Sequence, residues 1–122
     1  SSVIRLFELP IVKHSKSWGR AWNKWSEPNT PEILIPIYSS KGGDYVVKIL
    51  SDDESVLNSF EVKLDKGFNE VDYDLSINET KKDKFQKING ILIEKAKNNM
   101  YYLPKGLYFV QINDQKIELK IE

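Results

Sequence analysis

Three tryptophans, Trp18, Trp22 and Trp25, lie within eight positions of this 122-residue chain, in the stretch SWGRAWNKWSEPNTP. Aromatic rings that share one plane can stack on the apolar faces of sugars, and Arg20 and Asn23 could hydrogen-bond the sugar hydroxyls. In a helix, the spacing i, i+4, i+7 places all three rings on one face. One interpretation is therefore a carbohydrate-binding site formed by these five residues.

The other interpretation of the tryptophans is packing. A large aromatic side chain buries so much apolar area that contact with the rest of the protein is its usual role. Gly19 weakens the first turn of a helix here, and Pro28 prevents its continuation. We favour packing of the indoles against the domain or a neighbouring one, and keep carbohydrate binding as the alternative.

The chain offers little equipment for catalysis. His14 is the only histidine and there is no cysteine, so a histidine-rich or thiolate zinc site cannot be built. The serines near it, Ser15 and Ser17, and the later Ser39 do not stand in the G-x-S-x-G sequence of a nucleophile elbow. We predict no catalytic residue, no bound metal and no cofactor.

Two acidic clusters have structural explanations. The triplet at residues 52–54 lacks the D-x-D-x-D-G spacing of a calcium loop, and aspartates are common in turns because their side chains bond nearby backbone. Glu70, Asp72 and Asp74 are spaced by two, which places them on the outer face of a strand. We predict a turn for the triplet and solvated side chains for the other three.

Charge and composition limit the partners. The 18 basic and 18 acidic side chains balance, whereas nucleic-acid-binding domains carry a basic face. The lysine-rich stretch ETKKDKFQK (79–87) is interleaved with acids and is predicted to be a solvated edge, with a short helix as a possibility. No apolar run approaches the roughly 20 residues of a membrane span. We predict neither nucleic acid nor a membrane span.

Alternation of apolar and polar residues dominates from residue 32 onward. A period of two in short segments rich in Ile, Val, Tyr and Phe predicts half-buried strands, and the short turns between them predict an antiparallel β-sandwich. Asn113 and Asp114 form a tight turn that predicts a hairpin of the last two strands. The predicted inward residues are Ile33, Ile35, Ile37, Tyr45, Val47, Ile49, Phe60, Val62, Leu64, Val71, Tyr73, Leu75, Ile77, Ile117, Leu119 and Ile121.

Two regions depart from this pattern. Residues 1–31 are predicted to be a leader and linker, with an edge strand in VIRLFELPIVK that Pro10 ends or bulges. Residues 32–122 are predicted to be the sandwich domain. Within it, residues 78–106 are too long for a turn, and GILIEKAK (90–97) predicts one further strand.

The connector ELP…SWGRAW, the turn and strand KGFNEVDYDL and the closing PKGLYFVQI resemble the C-terminal domain of bacterial sortilin-like proteins, often labelled BNR-repeat or glycosyl-hydrolase proteins. In that family, a large β-propeller is followed by a small immunoglobulin-like or fibronectin-III-like sandwich. The resemblance implies an all-β sandwich of about seven strands with an irregular tryptophan-containing leader.

The same resemblance implies a role. The domain would be a non-catalytic, monomeric accessory domain at the C-terminal end of a larger exported bacterial protein, located in the periplasm, outside the cell or on its surface. Its partner would be an upstream domain of the same polypeptide, a β-propeller, which would carry any hydrolase activity. The alternative is a carbohydrate-binding module that binds a polysaccharide through the tryptophans.

Overall fold

The computed structural model describes residues 3–14, 31–90, 92–93 and 100–122. These residues contain seven strands and one helix. The elements in chain order are β1 (Ile4–Leu6), β2 (Ile33–Ser39), β3 (Gly43–Ser51), β4 (Val56–Leu64), β5 (Gly67–Tyr73), α1 (Glu79–Asn89), β6 (Gly106–Ile112) and β7 (Gln115–Ile121).

The strands form two antiparallel sheets that pack face to face. One sheet has the order β1-β2-β5 and the other the order β4-β3-β6-β7. In immunoglobulin constant-type domains, the fourth strand joins the first sheet, whereas here β4 pairs with β3 in the second. The predicted antiparallel all-β sandwich of about seven strands is confirmed.

The core lies between the sheets and includes residues predicted from alternation, together with buried residues that were not predicted, such as Leu57, Leu103, Tyr108, Val110 and Ile112. Ile35, Ile37, Val47 and Ile49 have no measurable exposure, because each points from a central strand towards the opposite sheet. Burial of one such side chain stabilises the fold by about 1.5–3 kcal/mol. Some predicted inward residues near the strand edges are only partly buried: Tyr45, Phe60, Val62, Val71 and Ile117.

Two buried tyrosines fix the connections at one end of the sandwich. The Tyr108 hydroxyl donates to the carbonyl oxygen of Pro104 at 2.7 Å, the arrangement known as a tyrosine corner. The Tyr73 hydroxyl donates to the carbonyl oxygen of Ser76 at 2.5 Å. Burial raises the pKa of both hydroxyls above the ordinary tyrosine value, so both remain neutral donors.

The first strand passes from one sheet to the other. β1 pairs with β2, but beyond Pro10 the backbone of Val12 bonds to β7 of the other sheet, at 2.9 Å to Lys120 and 2.7 Å from Glu122. The predicted edge strand is therefore present, three residues long, and the chain changes sheets after it. Residues 3–14, which the sequence assigned to a leader, form part of both sheets.

The region between β5 and β6 contains the short helix considered from the sequence. Asn78 caps α1 by accepting from the Thr80 N–H at 2.9 Å, and Gly90 ends it in the left-handed conformation with φ 63°. The predicted strand over 90–97 lies mostly outside the described residues. Its described part is not a strand, because the Ile93 N–H donates to the Gln86 side chain at 2.6 Å instead of a neighbouring strand.

Candidate functional site

The predicted carbohydrate site cannot be placed. Trp18, Arg20, Trp22, Asn23 and Trp25 all lie outside the residues that the structure describes. The described residues on either side of them lie at one end of the sandwich. His14 donates its backbone N–H to the Glu122 carbonyl oxygen at 2.6 Å, and Pro31 leads into β2 beside the end of β5. Helix α1 lies at the same end.

The acidic triplet closes the β3–β4 turn. The Ser51 hydroxyl and the Ser55 N–H both donate to the carboxylate of Asp53, and these bonds lower the pKa of Asp53. Glu54 pairs with Lys116 of β7 at 2.9 Å. Across the described ranges, no group of three or more acidic or histidine side chains is arranged to hold a metal ion.

The lysine-rich stretch forms an amphipathic helix rather than a uniform basic patch. Lys81, Lys84 and Lys87 are exposed, as predicted for a solvated edge. Lys82 lies over the Tyr101 ring at 4.3 Å, and Phe85 is buried beside Tyr108 with ring centroids 6.2 Å apart. The aromatic residue of this stretch therefore anchors the helix to the core. No helix in the described part of the chain is long and apolar enough to cross a membrane.

An exposed aromatic cluster lies on the outer face of the three-stranded sheet. Tyr38 of β2 and Phe68 of β5 are paired across the sheet, and Phe68 is 63% exposed. Phe7, which follows β1, reaches the Phe68 ring with a centroid distance of 5.7 Å and an angle of 49° between the planes. We call Phe7, Tyr38 and Phe68 the aromatic patch. Such a cluster is larger than the isolated apolar residues that normal surfaces carry.

The opposite end of the same face is acidic. Outward positions along β5 continue from Phe68 to Glu70 and Asp72, which are paired with Pro36 and Leu34 of β2. A hydrogen bond with Asp72, together with the negative charge of that carboxylate, raises the pKa of Glu32 above its ordinary value. We call Glu32, Glu70 and Asp72 the acidic row. Among the described residues, none of the three forms an ion pair.

The acidic row borders a groove of about 420 Å³ at the open side of the sandwich, between β4 and β5. Its wall includes the Phe60 ring, which stacks on Tyr73 at 5.7 Å and 19°. The Asn58 amide donates to the Ser76 carbonyl oxygen at 3.0 Å, which ties the two sheets together beneath the groove. The lining residues are Pro31, Glu32, Asn58, Phe60, Asp72, Tyr73, Asp74 and Ser76.

The four-stranded sheet also has a shallow depression, of about 550 Å³, on its outer face. Its charged residues are of both signs, with Asp44 and Glu61 opposing Lys48. Val46 and a single aromatic residue, Tyr45, also line it. This surface therefore lacks both the aromatic cluster and the single sign of charge that mark the three-stranded sheet.

Comparisons with known proteins do not supply a relative. No family model matches the chain, no curated protein matches it, and no solved structure matches it. The family resemblance in the connector and strand motifs remains a prediction.

The sequence interpretation did not single out the aromatic patch, although the pattern contained a signal for it. In EILIPIYSS the positions between the inward isoleucines are Leu34, Pro36 and Tyr38, where a solvated sheet face carries polar residues. Phe68 likewise occupies an outward position of β5. Apolar residues on both faces of a strand indicate that both faces make contacts.

Proposed function

We propose that this chain is a non-catalytic accessory domain of a larger exported protein, and that the outer face of its three-stranded sheet docks onto another domain of that protein. The observation that carries the proposal is the aromatic patch. Three aromatic side chains on a regular, hydrogen-bonded sheet form a rigid apolar surface, and a partner that covers it gains the free energy of burying that area.

The polar groups of the interior support the non-catalytic part of the proposal. Tyr73, Tyr108 and Ser39 each donate to a backbone carbonyl oxygen, at Ser76, Pro104 and Lys41 respectively. Their hydroxyls therefore serve to hold turns and connections in place. Asp53 likewise closes a turn, because its carboxylate accepts from the Ser51 hydroxyl and the Ser55 N–H.

The alternative, a carbohydrate-binding module based on Trp18, Trp22 and Trp25, remains a prediction about residues outside the described ranges. The aromatic patch does not add support for it. Sugar platforms place their rings close to one plane, whereas the rings of Phe7 and Phe68 are inclined by 49°. Quenching of tryptophan emission by acrylamide, with and without soluble polysaccharides, tests this alternative directly.

Hydroxyl-radical footprinting tests the proposed docking. The 122-residue chain and the complete product of its gene are oxidised in parallel, and modification of Phe7, Tyr38 and Phe68 is measured by mass spectrometry. We expect modification of the patch to be at least threefold lower in the complete product. Val46 and Leu107 on the four-stranded sheet are the controls and should change little. Equal modification of the patch in both proteins would refute the docking.

A further inference from the structure

We infer that the partner of this face is a polypeptide surface that carries lysine or arginine beside exposed apolar side chains. The inference rests on the proposed function, because it names the chemistry of the partner for the same docking face. It is carried by the combination of two features on one sheet: the aromatic patch at one end and the acidic row at the other.

The negative charge of this face indicates that the partner carries a cationic side chain. The outward positions of the three strands, together with Glu32, carry three carboxylates and one guanidinium, Arg5, which is a net charge of −2. The acidic row is not neutralised by any described side chain. The hydrogen bond with Asp72 and the repulsion by that carboxylate raise the pKa of Glu32, which reflects the same excess of negative charge. A cation on the partner removes this repulsion when it docks.

The same charge excludes other classes of partner. Nucleic acid and anionic lipid surfaces are both polyanions, so the acidic row would repel them. A neutral glycan carries no charge that could pair with the three carboxylates, and the inclined rings of Phe7 and Phe68 offer it no flat platform. A polypeptide can supply both a cation and an apolar contact in one surface.

The register of the sheet fixes the spacing of the two contacts. Phe68 and Asp72 lie on one strand and on one face, four residues apart. At about 3.3 Å per residue, their Cα atoms are about 13 Å apart. The partner must therefore present its cation about 13 Å from its apolar group. In an extended segment this corresponds to a lysine four residues away from a phenylalanine on the same face.

Three blocked heptapeptides serve as probes of this arrangement. The first, Lys-Thr-Lys-Thr-Phe-Thr-Phe, matches the spacing; the second replaces both lysines by glutamate; the third replaces both phenylalanines by alanine. Each is titrated into the ¹⁵N-labelled 122-residue chain, and the amide shifts are followed. We expect the first peptide to shift the amides of β2 and β5, with an affinity at least tenfold above the other two. The affinity should fall several-fold between 50 and 500 mM salt, as screening increases.

Charge reversal gives the matched controls. The double variant Glu70→Lys with Asp72→Lys should lower the affinity for the lysine peptide at least tenfold. The variant Asp44→Lys with Glu61→Lys makes the same change of charge on the four-stranded sheet, and it should leave the affinity within twofold. All four positions are exposed, so the variants should fold, which their thermal unfolding verifies.

The outcomes separate this inference from the proposed function. If the glutamate peptide binds the face as tightly as the lysine peptide, or if both double variants weaken binding equally, the basic-partner inference is wrong. The inference is also wrong if no peptide changes the chemical shifts of the amides in β2 or β5. In each of these cases, footprinting of the complete gene product still decides the docking. Absence of protection there, with selective binding of the lysine peptide, would reject the docking within one polypeptide and retain the chemistry of the face.

Discussion

At the scale of single residues, hydroxyl groups in the interior decide how the connections at the helical end are held. Tyr108 binds a carbonyl four residues before it, and Tyr73 binds one three residues after it. The Tyr73 bond is buried and the Tyr108 bond is partly buried, and a buried carbonyl that loses its donor costs more than an exposed one. Among the described residues, no buried side-chain nitrogen or oxygen lacks a partner.

Removal of one hydroxyl tests the tyrosine corner. Tyr108→Phe keeps the ring in the core but leaves the Pro104 carbonyl oxygen without its donor. We expect the free energy of unfolding in urea to fall by about 1–3 kcal/mol. Tyr38→Phe is the matched control, because Tyr38 is exposed on the sheet surface and should change stability by less than about 0.5 kcal/mol. Equal effects of the two substitutions would contradict the corner's role.

The same hydroxyl should make stability depend on alkaline pH. The pKa of Tyr108 is raised in the folded state, whereas an unfolded tyrosine ionises near pH 10. Below pH 10 both states hold the proton and the stabilisation is complete. Above pH 10 only the unfolded state ionises, so stability decreases by about 1.4 kcal/mol per pH unit until the folded pKa is reached.

Comparison with Tyr108→Phe isolates this effect from other titrating groups. Urea unfolding of both proteins at pH 8, 10 and 11 should show a stability difference that narrows as the pH rises above 10. A difference that stays constant or widens would mean that the Tyr108 pKa is not raised by burial.

At the scale of elements, β1 is short but contributes to the core. Ile4 is buried, while Val3 immediately before it is 53% exposed. We expect Ile4→Ala to lower the free energy of unfolding by about 2–4 kcal/mol, because it leaves a cavity between the sheets. Val3→Ala removes a similar side chain from the surface and should cost less than about 0.5 kcal/mol. A negligible effect of Ile4→Ala would show that β1 is not packed in solution.

Helix α1 offers a test of its cap. Asn78→Ala removes the acceptor for the Thr80 N–H and should cost about 1 kcal/mol of stability. Asn78→Asp keeps an acceptor at the same place, so this variant should retain nearly all of the stability that Asn78→Ala loses. Chemical denaturation measures both variants, and equal losses would mean that the cap bond does not stabilise the helix.

The elements also differ in how well the sequence predicted them. The strands from 33 to 64 could be predicted because one face of each is apolar and buried, which leaves a period of two in the sequence. The sequence offered the helix only as a possibility, since ETKKDKFQK is mostly charged and has one apolar residue, the buried Phe85. The strand predicted at GILIEKAK is tested only at residues 90 and 92–93, which are not in a strand because Gly90 ends the helix there.

At the scale of the whole molecule, residues 3–14 join the two sheets at the edge formed by β1 and β7. The sequence placed a boundary after residue 31, but it could not indicate that earlier residues bond to the last strand. Contacts between distant segments leave no local pattern. The docking face could not be predicted for the same reason, since Phe7, Tyr38 and Phe68 come from three separate strands or their flanks.

A shortened chain that begins at residue 32 tests how far the first segment belongs to the domain. Loss of the buried Ile4 and Leu9 alone should remove about 3–6 kcal/mol, out of the roughly 5–15 kcal/mol that domains possess. We expect the urea concentration at the midpoint of unfolding to fall sharply. An unchanged midpoint would support the boundary at residue 31 and a separable leader.

The bond between Val12 and the last strand has a consequence for the order of events during synthesis. The bonded residues are more than one hundred positions apart. Residues 3–14 therefore cannot complete their hydrogen bonds to the last strand before Glu122 has been synthesised. At about 5–20 residues per second, the side chains of Ile4 and Leu9 stay without their full set of contacts for several seconds. Pairings this distant also close slowly, because the entropy of a long loop must be lost first. The nascent chain should therefore depend on chaperones that hold apolar segments on the ribosome.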